Sequence, residues 1–442
     1  MVQKSDELAA RNLAILWGAD ADGVGGRIGL PQIRSRSREI AAIGDSRNAL
    51  QWAVANDGGS DTFGYGHLMW SSFLSGGRVE FPSALNFAVS GYTTEQILAA
   101  VPACITAMRA RGATTVVYIG STNDRNAGWD ATRTITAIDA AAALFRDAGI
   151  EIIWLATSPR GNGSFSSLRL TATQLAYELK VRRHLLLRAE QYRGEYTIDP
   201  WEVMADRSTT TGDVLAGMTT DGLHFALIDG SYVGKQLADL FVVLYPARPK
   251  LTMSNADVAG ANFDHGNFVS NPCFLGTAGT AEAGVTGSVP SSWTSKAPIS
   301  GLAVAASIAT VGGARLPTFA ITGTAASASS WDLLRQDVST GFNGLAVGQT
   351  YRIEWPLDWD ACANISHIQP FLLANNLWRR HMRGSTGLAW PSEARSGVMI
   401  SDPFTVPAGS TLMRFGLNIQ TVAAVATSLT IRVGEPSVRR ID

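Results

Sequence analysis

The sequence predicts an α/β layer fold with a parallel sheet over the first half of the chain and an all-β sandwich or jelly roll over the second. Two patterns carry this. Short apolar runs alternate with longer amphipathic stretches between residues 40 and 245, which implies strand–helix units and a parallel sheet. Beyond about residue 251 helical periodicity disappears, and short alternating segments separated by Gly, Ser and Thr replace it.

The elements follow in order. Glu39–Ile43, Thr115–Ile119 and Glu151–Ala156 are near five residues long, carry β-branched residues and are bounded by small or polar ones, as buried parallel strands are. Helical spacing of apolar residues runs from Thr94 to Arg111, Thr132 to Ala148, Leu170 to Gln191 and Gly230 to Tyr245. Asp6 to Trp17 reads as a short amphipathic helix, and Gly18 to Arg38 as a Gly-rich basic segment in which Leu30-Pro31 stops any helix. In the second half, Tyr351–Trp355 and Ser428–Val433 alternate as half-buried strands do. The organisation expected is a lead-in segment at 1–38, a catalytic-type α/β domain at 39–249 and a β-sandwich at 250–442, the last boundary lying at Pro246-Ala247-Arg248-Pro249.

Composition narrows the function. Hydrophobic residues make up 46% and charged residues 17% of 442, a globular balance. Lys plus Arg number 36 and Asp plus Glu 37, so the chain lacks the positive excess of a phosphate-backbone binder, and nucleic acid is not an expected partner. Cys104, Cys273 and Cys362 neither form a disulfide framework nor match a metal-knuckle spacing, and read as buried small hydrophobes. No run reaches the roughly 18 apolar residues of a membrane span, and the polar N-terminus shows no signal-peptide pattern. No metal or cofactor is expected.

Four short segments can carry chemistry. Gly44-Asp45-Ser46 follows the first strand directly and precedes a helix-compatible stretch, so Ser46 stands at the carboxyl edge of the sheet, where open α/β sheets bind ligands. A helix start there offers N–H groups to a developing oxyanion; a plain Ser cap behind a turn glycine has the same spelling. Gly91 ends the apolar stretch from Asn86 and either brings its N–H close to a substrate or merely turns the chain. Asn123, in Gly120-Ser121-Thr122-Asn123-Asp124 after the second strand, can donate to an oxyanion or form an Asx turn. Asp221-Gly222-Leu223-His224 spaces an acid and an imidazole three apart, so that the carboxylate can orient a ring that takes a proton from a serine. His67, in a segment that either covers the site or packs inside, and His184, on a basic helix face, are rivals to His224. Asp45, His67 and Trp378 are further candidates for substrate contact.

Taken together and in this order, the four segments resemble the SGNH, or GDSL-type, hydrolases over about residues 39–245. The resemblance implies a three-layer α/β/α flavodoxin-like domain and metal-free ester hydrolysis. It implies Ser46 as nucleophile, His224 as base and Asp221 as its orienting acid. The Ser46 N–H, the Gly91 N–H and the Asn123 amide would form the oxyanion hole. Two places depart from the pattern: the third block of the family opens with glycine two places before its Asn, where this chain has Ser121, and the nucleophile block continues Arg47-Asn48 where Leu is common.

Asn271–Phe274 and Gly287–Thr294 are similar to the opening strands, and Leu429–Pro436 to the last strand, of galactose-binding-like jelly rolls found on carbohydrate-active enzymes and phage tail proteins. Of the tryptophans there, most read as sandwich core and Trp378, beside Arg379-Arg380-His381, as exposed and able to stack on a sugar. The expected function is a serine esterase removing acyl groups, O-acetyl above all, from a polysaccharide. The protein would be a virion-tail or extracellular component and a homo-oligomer, a trimer by analogy. A glycan-binding adhesin without catalysis and an esterase for lipid or small acyl esters are the alternatives.

Overall fold

The computed structural model describes residues 36–54, 60–62, 66–219, 221–260, 264–311, 313–337, 345–375, 377–380 and 390–442. The helix expected at Asp6–Trp17 and most of the lead-in segment lie outside them. Contacts divide the chain into two compact units. The first holds the described residues up to Leu50, with Arg78–His224 and Gln236–Pro246. The second holds Gln51–Gly77, Phe225–Lys235 and Ala247–Asp442.

The first unit is a five-stranded parallel sheet built from β1 (Ala41–Gly44), β2 (Asn86–Ala88), β3 (Thr115–Ile119), β4 (Glu151–Leu155) and β5 (Glu195–Ile198), in spatial order 2-1-3-4-5. That is the flavodoxin-like order, in which the chain reverses direction across the sheet between β1 and β3 and leaves a crevice at their carboxyl ends. Strand residues alternate between two apolar faces. Ala41, Ile43, Val116, Tyr118, Ile152 and Trp154 pack on the Thr94–Arg111, Ala131–Asp147 and Ala172–Gln191 helices through Ile97, Val101, Phe145 and Val181. On the opposite face the Tyr245 hydroxyl, just past the Leu227–Leu244 helix, bonds the Thr115 hydroxyl at 2.7 Å. The result is a three-layer α/β/α arrangement.

The Glu195–Ile198 strand, Glu-Tyr-Thr-Ile, is not among those expected from the sequence, because it is only four residues long and half of them are polar. Glu195 is buried and accepts from Arg188 Nε (2.5 Å), Arg188 Nη2 (2.8 Å), Arg146 Nη1 (2.7 Å) and Trp154 Nε1 (2.7 Å). Burial pushes the Glu195 carboxyl up, but these donors outweigh it and hold the group below the ordinary glutamate range. A carboxyl lowered in the fold stabilises above its unfolded pKa of about 4.3, and that stability fades as pH falls through the lowered folded value. Wild type is therefore expected to lose melting temperature more steeply than Glu195→Gln between about pH 5 and pH 2. Parallel curves in a thermal-melt pH series would count against this.

The second unit is a β-sandwich. One sheet orders Leu377–Arg380, Ile365–Ala374, Met413–Thr421, Ser330–Asp337, Val289–Ser295 and Ala278–Ala281. The other orders Arg395–Ile400, Thr350–Trp359, Ala426–Val433, Ala314–Thr324, Leu302–Val311 and Val285–Gly287. Every second residue of Thr350–Trp359 is buried, and Trp355 meets Phe415 of the facing sheet at 4.6 Å between ring centroids and Trp293 at 6.1 Å. Trp293, Trp331, Trp355, Trp359 and Trp390 are all buried. The backbone of Trp378 pairs with Leu373, and its side chain lies outside the described residues.

Two local expectations need correcting. Asn271–Phe274 is a turn closed by Phe274 N–H to Asn271 O (3.1 Å), not an opening strand. Cys104 and Cys362 are buried, but Cys273 is only partly so. The segment around His67 packs inside, as a helix, His67–Leu74, whose residues are buried as far as Phe73. That helix belongs with the sandwich because Phe73 stacks on Trp359 (5.2 Å, 10°) and Trp70 packs against Trp390 (5.2 Å).

Candidate active site

The segment around Ser46 is built on backbone constraint. Gly44 ends β1 with φ +147°, and a Cβ there would lie 2.1 Å from the Ile119 carbonyl oxygen of β3, so only glycine lets the two strand ends approach. Asp45 then caps a short helix, Ser46–Ala49, by accepting from Arg47 N–H at 3.0 Å. Asn48 and Ala49 N–H donate to the Asp45 carbonyl; the Ser46 N–H is not among the groups so occupied.

Asp45 does not face a substrate. It is fully buried, and Arg47 Nε (3.0 Å) and Nη2 (2.6 Å) occupy both its oxygens. Arg47 also donates to Ser158 Oγ (2.7 Å) and Gly120 O (3.1 Å), so one buried guanidinium joins the loops after β1, β3 and β4. The charge is tolerated because the Asp45 carboxylate, the Ser158 hydroxyl and the Gly120 carbonyl accept from it.

The decisive geometry lies at the other end of the unit. His224 Nε2 is 2.9 Å from Ser46 Oγ, and His224 Nδ1 is 2.6 Å from Asp221 Oδ2. Asp221 also accepts from its own loop, from Leu223 N–H (2.9 Å) and His224 N–H (2.8 Å), both through Oδ1. Burial pushes the Asp221 carboxyl up, but the His224 and Leu223 N–H groups and the imidazole outweigh it, and the group is held below the ordinary aspartate range. An ionised Asp221 only accepts, so Nδ1 carries the ring proton in that bond and leaves the Nε2 lone pair toward Ser46. Gly222, between acid and base, has φ +86° and would put a Cβ 2.6 Å from Phe165 Cβ. Its carbonyl accepts from Gly161 N–H at 2.7 Å, which ties the Asp221–His224 loop to the loop after β4.

The remaining segments are tied to the end of β1 and to one another. Val89 N–H donates to Gly44 O at 3.0 Å, which holds the Val89–Gly91 turn against the end of β1. Gly91 has φ +85° and open space where a Cβ would stand. Asn123 Nδ2 donates to Tyr92 O at 3.0 Å, so one amide hydrogen orients the side chain on that turn and the amide has a second. Asp124 is a structural group: buried, it accepts from Thr94 N–H (2.8 Å), Thr94 Oγ1 (2.6 Å) and Thr134 Oγ1 (2.7 Å).

Ser121 adopts φ +90°, the conformation a glycine would take freely. For serine it costs on the order of 1–3 kcal/mol unless the surroundings hold it. The Ser121 hydroxyl donates to Glu178 Oε1 at 2.7 Å, inside the fold. Ser121 thus keeps a positive φ beside a buried bond, which sequence alone does not reveal.

Two other candidates are placed elsewhere. His67 is fully buried in the second unit, edge-on to Phe225 at 5.0 Å and 3.4 Å from Gln51 Nε2. His184 pairs with Asp139 at 2.8 Å. Among the described residues no group of three or more His, Cys, Asp or Glu side chains is placed to hold a metal ion, and no helix is long and apolar enough to cross a membrane.

No protein-family model matches the chain, and no curated protein matches it. Solved structures similar to it include a protein assigned to the lipolytic G-D-S-L family from Desulfitobacterium hafniense (14% identity, TM-score 0.35, 46% of this chain and 99% of that one). An aryl esterase from M. smegmatis matches at 15% identity and TM-score 0.34 over 47% of this chain and 100% of that one. A carbohydrate esterase family 3 protein from Talaromyces cellulolyticus matches at 17% identity and TM-score 0.33 over 47% and 97%. Scores this low do not decide chemistry, and the α/β/α architecture rests on the strand order itself.

Proposed function

We propose that the chain is a serine esterase that cleaves acyl esters through an acyl-Ser46 intermediate. The observation that carries this is the Ser46–His224–Asp221 relay, with its 2.9 Å and 2.6 Å contacts. Ser46 Oγ attacks the ester carbonyl carbon while His224 Nε2 takes its proton. The tetrahedral oxyanion is met by N–H groups of Ser46 and Gly91 and by the free hydrogen of the Asn123 amide. His224 returns the proton to the leaving alkoxide, which departs as an alcohol. Water then attacks acyl-Ser46, again losing a proton to His224, and the acid is released. Asp221 keeps the ring in the accepting tautomer and offsets the imidazolium charge.

The substrate this reading favours is an O-acetylated polysaccharide. Its support is the β-sandwich in the same chain and the likeness of segments there to sugar-binding jelly rolls. A role in a phage tail, and assembly as a homo-oligomer, belong to the same reading.

The test is a fluorophosphonate label followed by peptide mapping, with acetate release from an acetylated glycan measured alongside. Label on the peptide carrying Ser46, and released acetate, are the expected results. A label that never appears on that peptide would refute the nucleophile. Asn123→Ala is expected to lower kcat roughly 10²–10³-fold with the protein still folded, the usual cost of one oxyanion donor. An unchanged kcat would remove Asn123 from the oxyanion hole.

A further inference from the structure

Glu178 has no role in the relay, yet it is a buried carboxylate aimed at the loop that carries Asn123. It lies on the Ala172–Gln191 helix and is 2% exposed. Its Oε1 accepts from Ser121 Oγ at 2.7 Å, and its Oε2 stands 3.2 Å from Arg125 Nε. Ser121 and Arg125 bracket Asn123: Ser121 caps the helix Thr122–Asn126, and Arg125 is in its last turn. One turn earlier on the longer helix, Gln174 Nε2 donates to Arg125 O at 2.9 Å. From the far side Arg160 donates to Thr122 O (3.2 Å), Thr122 Oγ1 (3.1 Å) and Asn126 Oδ1 (2.9 Å).

A five-residue helix does not sustain itself, so its geometry is set by what grips it. The weakest point of the grip is Ser121, whose φ of +90° a serine leaves unless held. An apolar side chain would fill the Glu178 position without the desolvation cost of a carboxylate, so packing alone does not account for the residue.

We propose that Glu178 is a positioning residue that acts through Ser121. It locks the serine in the left-handed conformation and thereby points the Asn123 amide at the oxyanion. This rests on the esterase reading above, and it identifies the group that stands in for the absent glycine.

Glu178→Leu, Glu178→Gln, Ser121→Gly and the Glu178→Leu/Ser121→Gly double variant test it, with kcat and KM for p-nitrophenyl acetate. Glu178→Leu is expected to lose about 10² in kcat, the scale of one oxyanion donor, with KM nearly unmoved. Glu178→Gln, whose amide oxygen still accepts from Ser121, is expected to stay within about threefold of wild type. The double variant is expected to recover kcat, because glycine takes φ +90° unaided. A folded Glu178→Leu with wild-type kcat, or a double variant as slow as Glu178→Leu, overturns the proposal. If Glu178→Leu does not fold, Ser121→Ala against Ser121→Gly decides. Both lack the hydroxyl; only the alanine should lose kcat, and an equal loss in both overturns the proposal.

The esterase reading fails separately, through a wild type that neither turns over ester nor labels at Ser46. In that case the Asn123 side-chain amide resonance, assigned by its loss in Asn123→Ala, still reads the positioning. It should move in Glu178→Leu, or in Ser121→Ala where that variant does not fold. It should return to its wild-type place in the matching glycine variant. A resonance that does not move, or does not return, overturns the inference.

Discussion

Ser46→Ala is expected to lower turnover of p-nitrophenyl acetate by about 10⁶, and His224→Ala by about the same amount, on the scale of serine-protease triads. On the proposed acyl-Ser46 route the two groups act as a unit. Without the hydroxyl there is no acyl-enzyme, and without the imidazole the hydroxyl keeps its proton and attacks poorly. The double variant should therefore be about as slow as either single one, leaving the residual rate that the oxyanion donors and substrate binding supply. Neither change should unfold the protein. Ser46 is buried but small, and His224 is partly exposed in a loop held by Asp221, Gly161 and Gly222. Steady-state kinetics with a thermal melt on each variant is the measurement. A Ser46→Ala protein with more than a few per cent of wild-type activity would end the catalytic proposal.

Asp221→Asn is expected to cost roughly 10³–10⁴ in kcat, less than loss of the base. The carboxylate oxygen only accepts from Nδ1–H, whereas an amide NH₂ in its place donates. The amide then favours the tautomer whose proton sits on Nε2, facing Ser46, where it blocks proton uptake. The Asp221 side chain is 48% exposed, so water screens its charge and moderates its hold on the imidazolium. The loss should thus fall toward the lower end of that range. Asp221→Ala, which lets water bond Nδ1, should be less damaging than Asp221→Asn if tautomer control is the main role. The ratio of the two rates measures that role; an alanine variant much slower than the asparagine one would speak against it.

Much of the fold could be read along the chain, because buried parallel strands and amphipathic helices announce themselves by local pattern. Thr115–Ile119 and Thr94–Arg111 appear where the β-branched run and the apolar spacing place them. Elements whose character depends on distant partners were harder. Glu195–Ile198 is buried at the edge of the sheet because Arg188 and Arg146 pair with its first residue. His67–Leu74 is buried along nearly its whole length, its polar His67, Ser71 and Ser72 included, and a segment buried all round does not advertise which surface it covers. Asp45 looked available for substrate beside the nucleophile, yet Arg47 two residues on takes both of its oxygens.

By itself the sequence determined which residue types stand at the ends of which strands, since that depends on chain order alone. A hydroxyl, a glycine, an amide and an acid–imidazole pair each follow an apolar run or open a turn. Only the tertiary structure decided that Ser46 and His224, 178 positions apart, come within a hydrogen bond of each other. It also decided that a serine occupies a glycine conformation under Glu178. Both depend on strand order and on the desolvated interior beneath the sheet edge, where a charge survives only beside its partner. Such pairings are set by packing in space and leave no local signature along the chain.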